Sequence, residues 1–129
     1  MTQTDGGSLA PGSILAGRYR IEAFLGEGAV GEVYGAQDLE LDESVAVKVL
    51  RPALAGDEAV LRRFRREIQL AHRVTHPNVC RTFDLVQPAE EGSPRAFLTM
   101  ERLAGETLAD RIERAGPLTP AEALPLARQ

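Results

Sequence analysis

The chain has 129 residues, 43% of them hydrophobic and 26% charged, with a formal net charge of −4. That is the size and balance of one globular domain or lobe, and its acidity weighs against nucleic acid as a partner. No apolar run approaches the ~20 residues of a membrane span, the polar start Thr2–Ser8 is no secretory signal, and the single Cys80 with two histidines leaves no disulfide or structural zinc set. A reducing, cytoplasmic setting is therefore expected.

Residues 1–16, rich in Gly, Ser and Thr, are expected as a flexible tail. From Arg18 the pattern is strand-like: Tyr19, Ile21 and Ala23 alternate with Arg20 and Glu22, and Phe24-Leu25 runs into a glycine cluster. A second strand is predicted at Val33–Asp38 and a third at Ser44–Leu50, stopping before Pro52. Asp57 suits an N-cap. Beyond it Val60, Leu61, Phe64, Ile68, Ala71 and Val74 recur at helical spacing, while the run Arg62–Arg66 reads as a solvated face. His76-Pro77-Asn78 ends that helix. Strands near Val79–Val86 and Arg95–Met100 flank a turn-rich Pro88–Pro94. A short helix follows at Thr107–Arg114, then Gly116-Pro117, then a helix start with Thr119 as cap, Pro120 first and Glu122 third. Short turns between successive strands favour an antiparallel meander and an α+β fold.

Three motifs carry chemistry. Gly26-Glu27-Gly28-Ala29-Val30-Gly31-Glu32-Val33 matches G-x-G-x-x-G-x-V. A dinucleotide site would need these glycines to open a helix, and no helix is predicted before Asp57. What remains is a plain hairpin turn, or a hairpin that lays its amides over phosphates. In Val45-Ala46-Val47-Lys48, strand alternation puts Ala46 and Lys48 on one face. That suits either a nucleotide beside the strand or an ordinary buried strand ending in lysine. Glu67 sits between Phe64 and Ile68, where a carboxylate needs a partner. It is open to Lys48, or to a surface pair with Arg63.

In this order the motifs resemble those of bacterial Hanks-type serine/threonine protein kinases. Gly17-Arg18-Tyr19-Arg20-Ile21, Arg62–Glu67, His76-Pro77-Asn78-Val79 and Met100-Glu101 add to the likeness, which covers 18–129. The resemblance implies an N-lobe at 17–101, a five-stranded antiparallel sheet with one long helix. It implies a hinge and the first helices of an incomplete C-lobe at 102–129. ATP would be held by Leu25, Gly26, Glu27, Gly28, Ala29, Val30, Gly31, Glu32, Val33, Ala46, Lys48, Met100, Glu101 and Leu103. Lys48 and Glu67 would form the catalytic pair, and Met100 the gatekeeper. The family's catalytic-loop aspartate and its D-F-G magnesium ligands do not occur in this sequence. The implied activity, transfer of the γ-phosphoryl of Mg-ATP to protein Ser/Thr, thus belongs to an intact parent, and the fragment alone is expected to be inactive. The alternative is a pseudokinase-like regulatory module. Departures include Arg102 where the family often has Tyr, and Cys80, read as a small packed hydrophobe. Leu108, Ile112, Leu118, Leu124 and Leu126 would face the second lobe.

Overall fold

The computed structural model describes residues 7–88 and 96–129. Strands β1 (Ile14–Leu15), β2 (Tyr19–Glu27), β3 (Gly31–Asp38) and β4 (Glu43–Leu50) precede α1 (Pro52–Ala55) and α2 (Glu58–Ala71), and then come β5 (Thr82–Val86), β6 (Phe97–Glu101), α3 (Leu108–Ala115) and α4 (Pro120–Ala127). One antiparallel sheet runs in the order β1-β2-β3-β4-β6-β5. The fold class is α+β as expected, with six strands rather than five.

The additional strand lies in the segment expected as tail. Leu15 is buried in the core, the Gly12 amide donates to the Ile21 carbonyl at 2.7 Å, and Ile21 N–H donates to Ser13 at 2.8 Å. Residues 7–16 therefore do not form a flexible tail, because Leu15 contributes apolar area that Gly/Ser composition conceals. The rest of that expectation, residues 1–6, lies outside the described residues, as does most of the predicted Pro88–Pro94 turn.

Side-chain alternation divides the sheet into two faces. Tyr19, Ile21, Tyr34, Ala36, Val45, Val47, Val49 and Phe97 form one core. Leu50, Ala96 and Leu98 meet Leu61 and Ile68 of α2 on the other, with Met100, Phe64 and Val30 packed alongside. Tyr34 and Phe97 are wholly buried, each contributing about 1.5–3 kcal/mol of hydrophobic stabilisation. Register shifts at Ile21/Ala23 and Phe24/Gly26 add twist to β2, as bulges do.

Two buried or capping carboxylates fix the connections. Asp38, 3% exposed, accepts from Arg18 Nε at 2.8 Å and Nη2 at 2.7 Å, and from the turn amides of Glu40 and Leu41 at 3.0 and 3.3 Å. Asp57 caps α2 by accepting from the amides of Ala59 and Val60. The helix ends at Ala71 with His72 as C-cap, short of the expected Val74, which is exposed. His72 instead meets the Phe83 carbonyl through Nε2 at 2.8 Å. Thr119 caps α4 by accepting from Glu122 N–H at 3.2 Å, as its sequence predicts.

Candidate nucleotide site

The β2–β3 hairpin closes where Glu27 pairs with Glu32 and the Gly28 amide donates to the Gly31 carbonyl at 3.0 Å. Beneath it lies a cleft of about 390 Å³ lined by Leu25, Gly26, Glu27, Gly28, Ala29, Val30, Gly31, Val33 and Lys48. Its size is within the range of small-molecule sites. Lys48 stands opposite Val33 on β3 and Leu98 on β6, so the hairpin and the lysine are joined through strand register. Among the described residues Lys48 forms no ion pair, which leaves its ammonium available to an anion.

The other expected residues are not in this cleft's lining. Glu32 belongs to the opposite face, where its carboxylate accepts from Ser8 N–H at 3.1 Å, Ser8 O–H at 2.7 Å and Tyr34 O–H at 2.5 Å. A contiguous motif laid on a strand is split by alternation: 31 and 33 face the cleft, 32 does not. Ala46 pairs with Gly35 and Met100 and is nearly buried, next to the cleft rather than lining it. Met100 pairs with Ala46 and packs on the α2 side of the sheet, the face that also carries Leu98 and Lys48. Glu101 N–H donates to the Arg81 carbonyl at 2.8 Å, and its carboxylate accepts from Arg81 N–H at 3.2 Å. Leu103 is 65% exposed.

The structure does not bring Lys48 and Glu67 together. Glu67 pairs with Arg63 Nε at 3.0 Å, with side-chain exposures of 55% and 82%. The expectation of an inward, desolvated carboxylate is corrected: Glu67 lies on the flank of the apolar stripe, stays in water, and meets the cation one helical turn away at little ordering cost. Cys80 is likewise exposed rather than packed. Its thiol lies 3.7 Å from the Glu101 carbonyl oxygen, and desolvation, then the Glu101 carboxylate, push its pKa up.

Arg51 meets the glycine-loop tip without having been expected there, and Arg102 ties the end of β6 to neighbouring strands. Arg51 donates from Nε to the Ala29 carbonyl at 3.1 Å and from Nη2 to Gly28 at 2.8 Å. Arg102 donates from Nη1 to Glu22 at 2.9 Å and to Ser44 Oγ at 3.2 Å. The sequence marked Arg102 only as a departure from a family habit, and it carried no signal for Arg51.

Against known families, residues 19–129 match the model of the protein kinase domain. The chain belongs to the protein kinase family. Kinases similar to it include the serine/threonine-protein kinase pkn3 of Myxococcus xanthus, 43% identical over 83% of this chain and 19% of the relative. PrkC of Bacillus subtilis is 41% identical over 92% of the chain and 18% of the relative. PknB of Mycobacterium tuberculosis is 40% identical over 87% and 18%. The chain thus spans under a fifth of these kinases' length. Among solved structures, the kinase domain of Mycobacterium tuberculosis PknI superimposes with a TM-score of 0.71 at 30% identity, covering 91% of this chain and 46% of that one. The six-stranded sheet and its helices are accordingly part of a kinase fold. No helix among the described residues is long and apolar enough to cross a membrane.

Proposed function

We propose that the chain is the ATP-binding lobe of a bacterial serine/threonine protein kinase. The observation that carries this is the cleft itself, in which the glycine hairpin and Lys48 line one cavity. Backbone amides free of a Cβ suit phosphate oxygens, and an unpaired ammonium suits their charge. Leu25 and Val33, with Ala46 beside them, offer apolar contact to the base, and the Met100–Glu101 strand end leads to the hinge. Residues 17–101 would be the lobe proper, and 102–129 the hinge and first helices of the second.

Lys48 would hold the α- and β-phosphates, and Glu67 would become its partner when it leaves Arg63. Among the described residues no three His, Cys, Asp or Glu side chains converge on a metal position. Magnesium, which neutralises charge on the phosphates in kinases, would be held in the parent by a catalytic-loop asparagine and the D-F-G aspartate, motifs that do not occur in this sequence. Without a catalytic-loop aspartate and the metal ligands, the electrostatic stabilisation of phosphoryl transfer is missing, so these 129 residues are expected to bind ATP and transfer nothing. The parent's substrates would be protein serine and threonine hydroxyls, in the cytoplasm.

Titration of the chain with ATP tests the reading. Saturable binding weakened at least about tenfold by Lys48→Ala supports it, and absence of binding at millimolar ATP overturns it. Radiolabelled phosphoryl transfer that disappears in Lys48→Ala would refute the proposed inactivity.

A further inference from the structure

The three peptide units at the glycine-loop tip are oriented by one residue outside the cleft. The Gly28 carbonyl accepts from Arg51 Nη2 at 2.8 Å and the Ala29 carbonyl from Arg51 Nε at 3.1 Å. The Val30 carbonyl accepts from the Arg51 backbone N–H at 3.0 Å. A guanidinium presents two N–H groups in a fixed fork, so it can hold two successive carbonyls at once.

In a trans peptide the C=O and the following N–H point in opposite directions, and no peptide bond among the described residues is cis. Drawing the carbonyls of 28, 29 and 30 toward Arg51 therefore turns the amides of Ala29, Val30 and Gly31 away from it. Arg51 lies in a neighbouring groove with Ser8, Glu32, Val49 and Pro52, whereas Ala29 and Val30 line the cleft. The amides of Ala29 and Val30 donate to no protein acceptor among the described residues. They form a pair of unspent donors beside the Lys48 ammonium.

The geometry points to Arg51 as a positioning residue that sets the glycine-rich loop with its amides facing the phosphates before nucleotide arrives. This rests on the nucleotide reading of the cleft for its ligand, but not for its effect on the loop. Pre-orientation matters because a glycine-rich tip otherwise samples many backbone states, and binding would have to order them. The site's affinity for phosphate should thus depend on a side chain that never touches it.

The test has two arms on the chain. In the first, without ligand, backbone ¹⁵N order parameters at Ala29 and Val30, whose preceding carbonyls the guanidinium holds, are measured in wild type, Arg51→Ala and Arg51→Lys. Values near those of rigid backbone, about 0.85, should fall below about 0.6 in both variants, with the β4 and β6 signals unchanged as a control for folding. Loop order unchanged in both variants overturns the inference, whatever the nucleotide data show. In the second arm, affinities for ATP and adenosine are compared. Arg51→Ala should weaken ATP about tenfold and adenosine less than about twofold. Arg51→Lys should lose nearly as much, since a point ammonium cannot serve both carbonyls. Wild-type ATP affinity in the lysine variant, or equal losses for ATP and adenosine, would sink it. Should wild type bind neither nucleotide, the nucleotide reading falls, and the order parameters alone decide whether Arg51 sets the loop.

Discussion

Arg102 closes over Gly35, so that a methyl group at Gly35 would stand 2.6 Å from the arginine's Cζ and 2.7 Å from Nη2. The same guanidinium ties to Glu22 and Ser44, bracing the end of β6 against β2, β3 and β4. The obstructing atoms are the end of a flexible side chain and can move aside. Gly35→Ala should therefore expel Arg102 and cost about 1 kcal/mol in urea denaturation. In an Arg102→Ala background the same change should be neutral or stabilising, since alanine costs less strand entropy than glycine. An equal cost in both backgrounds would rule out the brace.

The glycines of the loop should separate by role. A methyl group at Gly31 would stand 1.8 Å from the Val49 carbonyl oxygen and 3.1 Å from Leu50 Cα, both backbone, whereas one at Gly28 meets nothing within 4 Å. Gly31→Ala should cost about 3 kcal/mol or more because β3 and β4 must part. Gly28→Ala should change stability by less than about 0.5 kcal/mol while weakening ATP binding. Paired denaturation and titration experiments read both.

The Asp38 carboxylate is held below the usual carboxylate range, first by its hydrogen bonds from Arg18 and also by those from the Glu40 and Leu41 amides. A depressed folded-state pKa means that the unfolded chain takes up the proton first. The stabilisation is present above the unfolded value of about 3.9 and is lost as pH falls through the lower folded value. Asp38→Asn should cost about 2 kcal/mol at neutral pH. The gap from wild type should close as pH is lowered from about 5 to about 2. A gap that stays constant across that range would contradict the assignment.

Lys48 and Glu67 should be uncoupled in the free chain. Lys48→Ala and Glu67→Ala should give additive changes in urea stability, and Arg63→Ala should cost no more than about 0.5 kcal/mol. In ATP affinity the first two should couple by about 1 kcal/mol. Additivity there as well would mean that Glu67 never becomes the lysine's partner.

Neither α3 nor α4 contains a buried residue, and Leu108, Ile112, Leu124 and Leu126 are 41–52% exposed. Such a patch promotes association. Sedimentation velocity should show concentration-dependent self-association, relieved by Leu108→Gln with Leu124→Gln. A monomer at all concentrations would argue against it.

The sequence by itself determined what is local or periodic. Alternation from Tyr19 to Ala23 and along Val45–Lys48 assigned strands and faces, Asp57 and Thr119 marked helix starts, and the glycine spacing located the hairpin. Each of these depends on neighbours within a few residues, which the linear order contains. Tertiary structure decided what depends on reach. Leu15 supplied a sixth strand because a core was there to bury it. Glu32 turned to Ser8 and Tyr34 because register sent it to the far face. Glu67 met Arg63 rather than Lys48, since a partner one turn away on the same helix requires no movement between helix and sheet. Arg51 became a brace for the glycine-loop tip and Arg102 one between strands because their guanidiniums reach segments that only folding brings side by side, and no spacing along the chain reports such a distance.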